Sequence, residues 1–375
     1  MQAGRRDPFA GRGAKMESTI VKRLREGRFV LIAEIGVNYY DIAKQRGITN
    51  MEAAKLMIDE AARAGIHAVK FQTYKAGTLA AKESPYYWDI TEEPTRSQYE
   101  LFKKFDSFGY DEYKELKEHS DKVGIEFLST AFDLESADYL DELMNVYKIS
   151  SSDLSNIPFI KYQAKKNKPI LLSVGASNED EIEQAVSAIR NSGNNAPLTL
   201  LHCVLEYPTP LEDANLLKIA SLKRRFPDVY IGYSDHTKPT KDCDVIKTAY
   251  NLGAVLVEKH FTLDKTLTGN DHYHAMDPDD AVNILSSIDR MDMIRGNGAL
   301  VSLDTESAAR KNARRSLVAA RDILKGSIIT KDMLTFKRPG TGISPSQIDR
   351  IAGMTAACDI PEDTIIQENM LTHGS

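Results

Sequence analysis

From about residue 29 to residue 295, short runs of apolar and often β-branched residues alternate with longer amphipathic stretches. Eight such runs occur: RFVLIAEIG, HAVKFQ, IEFLST, VYKIS, KPILLSV, PLTLLHC, DVYIGYS and AVLVEKHF. Between them lie segments of helical period such as NMEAAKLMIDEAARAG, DEYKELKEHSDKVG and EDEIEQAVSAIRNSG. This rhythm predicts repeated βα units around a parallel sheet. Eight units over about 265 residues match the size of a (β/α)8 TIM barrel, with an open doubly wound sheet as the alternative.

Two segments break the rhythm. Residues 74–107 follow the second strand and carry several Tyr and Pro and the single Trp. Loops after barrel strands face the active site, so this segment reads as a lid or as an insertion packed on the barrel's flank. From Leu303 onward the runs become short and strand-like, divided by the turns DILKGS, RPGTG and DIPEDT. A unit of about 65 residues without disulfides has a marginal core and is expected to dock on something larger. The expected organisation is an N-terminal extension over 1–26, a catalytic barrel over 27–295, a linker over 296–309 and a small domain over 310–375. The polar, basic start is read as loose, or as sequence ahead of a start at Met16.

Composition narrows the function classes. Acidic residues number 54 against 48 basic, which gives no support to a nucleic-acid partner. Cys203, Cys243 and Cys358 stand singly, so neither a disulfide framework nor a cysteine-rich zinc site is indicated and a reducing cytoplasm fits best. No run approaches the roughly 18 apolar residues that suggest a membrane span.

In a barrel the reacting groups come from the C-terminal ends of the strands. Those ends carry Glu34; Lys70 and Gln72; Ser129 and Thr130; Lys148, Ser151 and Asp153; Ser173; His202 and Tyr207; Ser234, Asp235 and His236; and Glu258 and His260. His236 and His260 close consecutive strands, which lie about 4.8 Å apart, so both imidazoles can converge on one divalent ion acting as a Lewis acid. The competing reading is a pair of buried structural histidines. His67, His119 and His373 lack such a setting and are expected to be solvated.

Lys70, Lys148 and Lys259 alternate with apolar residues, where an unpaired ammonium is costly. A substrate bearing phosphate and carboxylate would neutralise them; ion pairs with Glu34, Asp153 or Glu258 would do so as well. Glu34 ends an apolar strand, and a raised pKa would suit it to proton transfer.

The motifs AEIGVN, VKFQTYK, STAFD, YKISSSDL, LLSVGAS, LHCVLEYPTP, GYSDHT, EKHFTLDK and KRPGTGISP resemble, in order, those of the sialic acid synthase family, which includes N-acetylneuraminate, legionaminate and pseudaminate synthases. The resemblance spans about residues 29–372. It implies a phosphoenolpyruvate-binding barrel followed by an antifreeze-like (SAF, β-clip) domain that reaches the partner subunit of a domain-swapped homodimer. It also implies condensation of phosphoenolpyruvate with an N-acylated amino sugar, helped by a divalent metal such as Mn²⁺, Mg²⁺ or Co²⁺. Carried over residue by residue, the phosphoenolpyruvate contacts are Lys70, Gln72, Thr130, Lys148, Ser151, Ser173, Tyr207 and Ser234, and the metal ligands His236 and His260. The acid/base carboxylate falls on Glu34, the sugar-facing carboxylates on Asp153, Glu258 and Asp271, and the arginine meeting the N-acyl group on Arg338.

Three positions depart from the pattern: Asp153 where many members have glutamate, Leu205 where some have asparagine or serine, and NYYDIAKQRGI in place of a short turn after strand one. Two other readings remain open at this point: a Schiff-base pyruvate aldolase using Lys148 or Lys70, and a non-catalytic sugar-binding protein.

Overall fold

A strand points successive side chains to opposite faces, and in a closed barrel one face is the interior. In β1 (Val30–Gly36), Leu31, Ala33 and Ile35 pack outward in the layer between strands and helices, while Val30 and Ile32 pack in the barrel interior. Glu34 continues the inward series and is the first polar member of it. The other strands follow the same plan. They are β2 (Ala68–Thr73), β3 (Glu126–Ala131), β4 (Tyr147–Ile149), β5 (Ile170–Ser173), β6 (Leu198–Cys203), β7 (Tyr230–Asp235) and β8 (Leu256–His260). Ala68, Leu128, Leu171, Leu201 and Leu256 form the lower interior, and polar residues take the inward positions above them.

In the computed structural model, which describes residues 17–269 and 271–373, the eight strands pair in parallel and in sequence order, and β8 closes on β1. This is the (β/α)8 barrel expected from the eight apolar runs. Gly232 takes an inward position on β7 where a Cβ would lie 2.8 Å from the Leu256 carbonyl oxygen, so the closure requires glycine there.

The N-terminal reading needs correction. Residues 1–16 of the expected extension lie outside the described residues, but Thr19–Arg25 forms a helix, α1. The Ser18 hydroxyl caps it by accepting from the Val21 N–H at 3.2 Å, and the Ile20 N–H donates to the Glu126 carboxylate at 2.8 Å. Ile20, Val21 and Leu24 pack against Val30, Ile32 and Val146, so α1 plugs the lower mouth of the barrel. Three apolar residues between basic ones are too few to announce a helix in sequence; their burial depends on a barrel whose interior is open below.

The segment after β2 folds over the upper mouth. It contains the helices Ala76–Leu79 and Gln98–Lys104, and buried Trp88 donates its indole N–H to the Glu93 and Thr95 carbonyls at 3.0 and 3.1 Å. The helix Tyr39–Arg46, α2, follows β1 and ends at Gly47, whose φ of 66° is left-handed.

The chain divides between Arg295 and Gly296 into two compact units. The C-terminal unit has two antiparallel pairs, β9 (Ser316–Ala319) with β10 (Leu334–Lys337) and β11 (Thr355–Ala356) with β12 (Leu371–Thr372). Its core gathers Leu317, Ile323, Ile329, Ile351, Ile360 and Ile366 among others. No helix among the described residues is long and apolar enough to cross a membrane.

Ile20→Ala is expected to lower stability by about 2–5 kcal/mol through loss of a fully buried side chain at the barrel floor. A urea titration should show a lower midpoint at unchanged slope; an unchanged midpoint would mean that α1 does not hold the floor.

Candidate active site

The inward polar residues meet in a cavity of about 510 Å³ at the C-terminal ends of the strands. Glu34 comes from β1, Lys70 and Gln72 from β2, and Thr130 from β3. Lys148 lies on β4, and Ser151 and Asp153 on the short turn after it. Ser173 ends β5, and Tyr207 and Leu205 follow β6. Ser234 and His236 close β7, and Glu258 and His260 close β8. Tyr87, Gln98 and Phe102 of the segment after β2 complete the wall. Asp271 lines a smaller adjoining cavity that shares Gln72, Tyr87, Tyr207 and His260 with the first. Arg338 belongs to the C-terminal unit, is exposed, and its side chain has no hydrogen-bond or ion-pair partner among the described residues.

Four buried charges set the chemistry. The Lys70 ammonium contacts the Glu34 carboxylate, lies 3.9 Å from Glu258 and donates to the Thr130 hydroxyl at 3.1 Å. Lys148 lies 3.5 Å from the same Glu258 oxygen, which also accepts from the Ser234 hydroxyl at 3.3 Å. Gln72 donates to Glu34 at 2.8 Å. Burial pushes the Glu34 carboxyl up to about 7, with Lys70 offsetting only part of it. Burial also acts against Glu258, but Lys148 and Lys70 outweigh it and hold that carboxyl below its ordinary range. The lysines differ in the same way: burial lowers Lys148, whereas at Lys70 Glu258 and Glu34 overcome burial and raise the pKa. The Ser173 hydroxyl and the second Glu258 oxygen are buried without a hydrogen-bond partner among the described residues. Such a site is polar, and its buried groups are not all paired by the described residues, which suits a ligand with several charged oxygens.

Lys259 does not join this set. Its neighbours Glu258 and His260 face inward, so it faces outward, where it pairs with Asp235 at 2.8 Å and donates to the Thr237 carbonyl at 2.5 Å. Asp235 in turn accepts from the Thr237 N–H and hydroxyl and from Tyr233, fixing the turn that presents His236. His202 is also outward, bonded to the Ala214 carbonyl at 2.7 Å and stacked on Tyr233. His67 and His119, expected in solvent, each have a partner: His67 Nδ1 accepts from the Leu31 N–H at 2.9 Å, and His119 contacts Asp59 at 2.7 Å. His373 is exposed.

The histidines on the inner side lie close together. The rings of His236 and His260 are 5.5 Å apart between centroids, and the Tyr207 ring lies 4.2 Å from that of His236, tilted by 33°. His236 Nδ1 is engaged with the Val204 carbonyl at 2.6 Å, which leaves its other nitrogen for the site. His260 also neighbours His274 at 4.9 Å, and His260, Asp271 and His274 each offer a donor atom within 4.8 Å of the others. Burial keeps both His260 and His274 well below the usual imidazole range, so they are neutral and available as ligands. His260 Nδ1 and both nitrogens of His274 lack hydrogen-bond partners among the described residues. The donor set therefore fits a divalent metal. His274 carries only a weak signal in sequence, the Asp-His-Tyr-His run that begins two residues after the TLTG turn, too short a pattern to stand alone.

Comparison with known proteins agrees with this geometry. The NeuB family model matches residues 57–299 and the SAF domain model residues 314–372. The chain is 38% identical over 344 residues to the N,N'-diacetyllegionaminic acid synthase of Campylobacter jejuni, covering 90% of this chain and 99% of that one. It is 36% identical over 342 residues to the enzyme of the same name from Legionella pneumophila, covering 90% and 92%. The crystal structure of the N-acetylneuraminic acid (sialic acid) synthetase of Leptospira borgpetersenii superposes with a TM-score of 0.65 at 33% identity, over 75% of this chain and 90% of that one. A TIM barrel with its polar residues gathered at one mouth, two matched domain models and relatives matched almost end to end lead to one conclusion: the chain belongs to the NeuB family and carries a C-terminal SAF domain.

Proposed function

We propose that this enzyme condenses phosphoenolpyruvate with an N-acylated mannosamine-type sugar, N-acetylmannosamine or a 2,4-diacetamido-2,4,6-trideoxyhexose. The products are a sialic or legionaminic type of acid and phosphate. The observation that carries the reading is the buried cluster of Lys70 and Lys148 against Glu34 and Glu258, open to a cavity lined with hydroxyls. The names of the relatives support it: two are N,N'-diacetyllegionaminic acid synthases and another, from Campylobacter jejuni, a pseudaminic acid synthase.

Lys70 and Lys148, with the Thr130, Ser151, Ser173 and Ser234 hydroxyls and Gln72, hold phosphoenolpyruvate so that its C3 faces the open-chain aldehyde. A divalent metal at His236 and His260, with Mn²⁺ our choice over Mg²⁺ or Co²⁺, supplies Lewis-acid polarisation of the sugar carbonyl when bound. Asp153, Glu258 and Asp271 orient the sugar hydroxyls. C3 bonds to the aldehyde carbon, water adds at C2, and Glu34 takes the proton that this water loses and returns it to the former aldehyde oxygen. Phosphate then leaves by cleavage of its bond to C2, taking up the proton of the C2 hydroxyl as that carbon becomes the ketone. Tyr207 covers His236 and excludes solvent from that side. Arg338 meets the N-acyl group from the partner subunit of a swapped homodimer, and the cytoplasm is the compartment that the unpaired cysteines favour.

The burial-lowered Lys148 also suits a Schiff-base aldolase acting on pyruvate. The two reactions part at phosphate. Metal-loaded protein given phosphoenolpyruvate with each sugar separately is expected to release phosphate with one of them and to lose that release in His236→Ala; no release with either sugar contradicts the proposal. In ¹⁸O-labelled water the label should enter the sugar acid, and label found only in phosphate would overturn the carbon–oxygen cleavage.

Glu34 must be ionised to accept a proton, so with its pKa near 7 the kcat/KM should fall as pH drops through about 7. Glu34→Gln should remove that limb and lower kcat by about 10²–10⁴-fold. A wild-type profile flat from pH 5.5 to 8 would assign the proton to another group.

A further inference from the structure

We infer that His274 is a metal ligand, joining His260 and one oxygen of Asp271, whose other oxygen remains for the sugar, in a two-histidine, one-carboxylate set held in place by α2. The inference rests on the metal dependence proposed above and extends it to residues outside the His236–His260 pair.

His274 is fully buried, yet neither of its ring nitrogens has a hydrogen-bond partner among the described residues. A buried imidazole normally satisfies at least one nitrogen, so this side chain calls for a partner that the described residues do not supply. His260 Nδ1 is in the same state and lies 3.8 Å from an Asp271 oxygen. Two neutral imidazoles and a carboxylate with donors mutually within 4.8 Å are the ligand types that bind Mn²⁺, Fe²⁺, Co²⁺ or Zn²⁺.

The turn that carries these residues is pinned by the ones between them. His272 Nδ1 bonds the Thr262 hydroxyl at 2.7 Å and its Nε2 meets the Asp41 carboxylate at 3.2 Å. Tyr273 donates to the Tyr207 carbonyl at 2.6 Å, and the Asn38 amide donates to the Asp271 and Phe261 carbonyls at 3.3 and 3.0 Å. The side chains of 272 and 273 are thus committed to the scaffold, while those of 271 and 274 face His260. Asp41 lies on α2 and Asn38 at its start, within the segment that replaces the short turn of the family pattern. That insertion and the additional histidine act as one device: α2 positions the turn, and the turn offers the ligands.

Calorimetric titration of Mn²⁺ into metal-stripped full-length protein tests this without turnover. His274→Ala should weaken Mn²⁺ binding by at least about tenfold and alter the visible spectrum of the Co²⁺-loaded protein. His274→Gln, which fills the space, should show the same loss and serves if the alanine variant fails to fold. Asp41→Asn, which contributes no ligand, should weaken binding by a smaller factor. Wild-type affinity and an unchanged cobalt spectrum in a folded His274 variant would overturn the assignment and leave His274 bound to buried water. Failure here leaves phosphate release untouched, and a protein that binds Mn²⁺ through His274 but releases no phosphate would refute the reaction alone.

Discussion

Closing eight parallel strands into a barrel forces every second side chain into a space that must be filled below and can remain open above, and this constraint organises the molecule. Below, Val30, Ile32, Leu128, Leu171 and Leu256 meet with α1 in a dry floor. Above, the same inward series continues as Glu34, Lys70, Thr130, Lys148, Ser173, Ser234 and Glu258. The outward series packs the helices, with His202, Asp235 and Lys259 as polar members that find partners there. One periodicity thus separates a core that provides stability from a cavity that provides chemistry, within strands of three to seven residues.

The upper half is not built for stability. Buried charges are strongly desolvated, and their mutual attraction often does no more than balance that cost. Here two ammonium groups and two carboxylates share one site, Glu34 is pushed up to about 7, and the Ser173 hydroxyl and one Glu258 oxygen have no hydrogen-bond partner among the described residues. A cluster that serves only the fold would pair more completely, as Lys259 and Asp235 do on the outer face with each other, Thr237 and Tyr233. The contrast between the two lysine environments, one open to a cavity, the other paired on the outer face, supports a ligand-binding role for the first.

Much of this was legible in the sequence because the barrel's units are local. Each apolar run carries one strand, and strand-end chemistry follows from the fold. The residues that escaped reading are those whose role depends on non-local geometry. Lys259 was grouped with Lys70 and Lys148 by its apolar neighbours, although Glu258 and His260 on either side of it determine by parity that it faces outward. Helix α1 acquires meaning only from the open floor beneath it. His274 lies in a turn without periodicity, and its value depends on His260 from a strand and on Asp41 from a helix more than 200 residues earlier, contacts that no short spacing encodes. His67 and His119 likewise gained partners, Leu31 and Asp59, far away in sequence.

Under the proposed reaction, inward parity, rather than burial or charge alone, marks the residues that bind substrate. Calorimetric titration of phosphoenolpyruvate into Lys148→Met and Lys259→Met tests it most directly, since both lysines are buried and only one faces the cavity. Lys148→Met is expected to lose phosphoenolpyruvate binding, while Lys259→Met should retain near wild-type affinity in the protein that remains folded, with a lower melting temperature. Near wild-type affinity in Lys148→Met, or an equal loss in folded Lys259→Met, would contradict it.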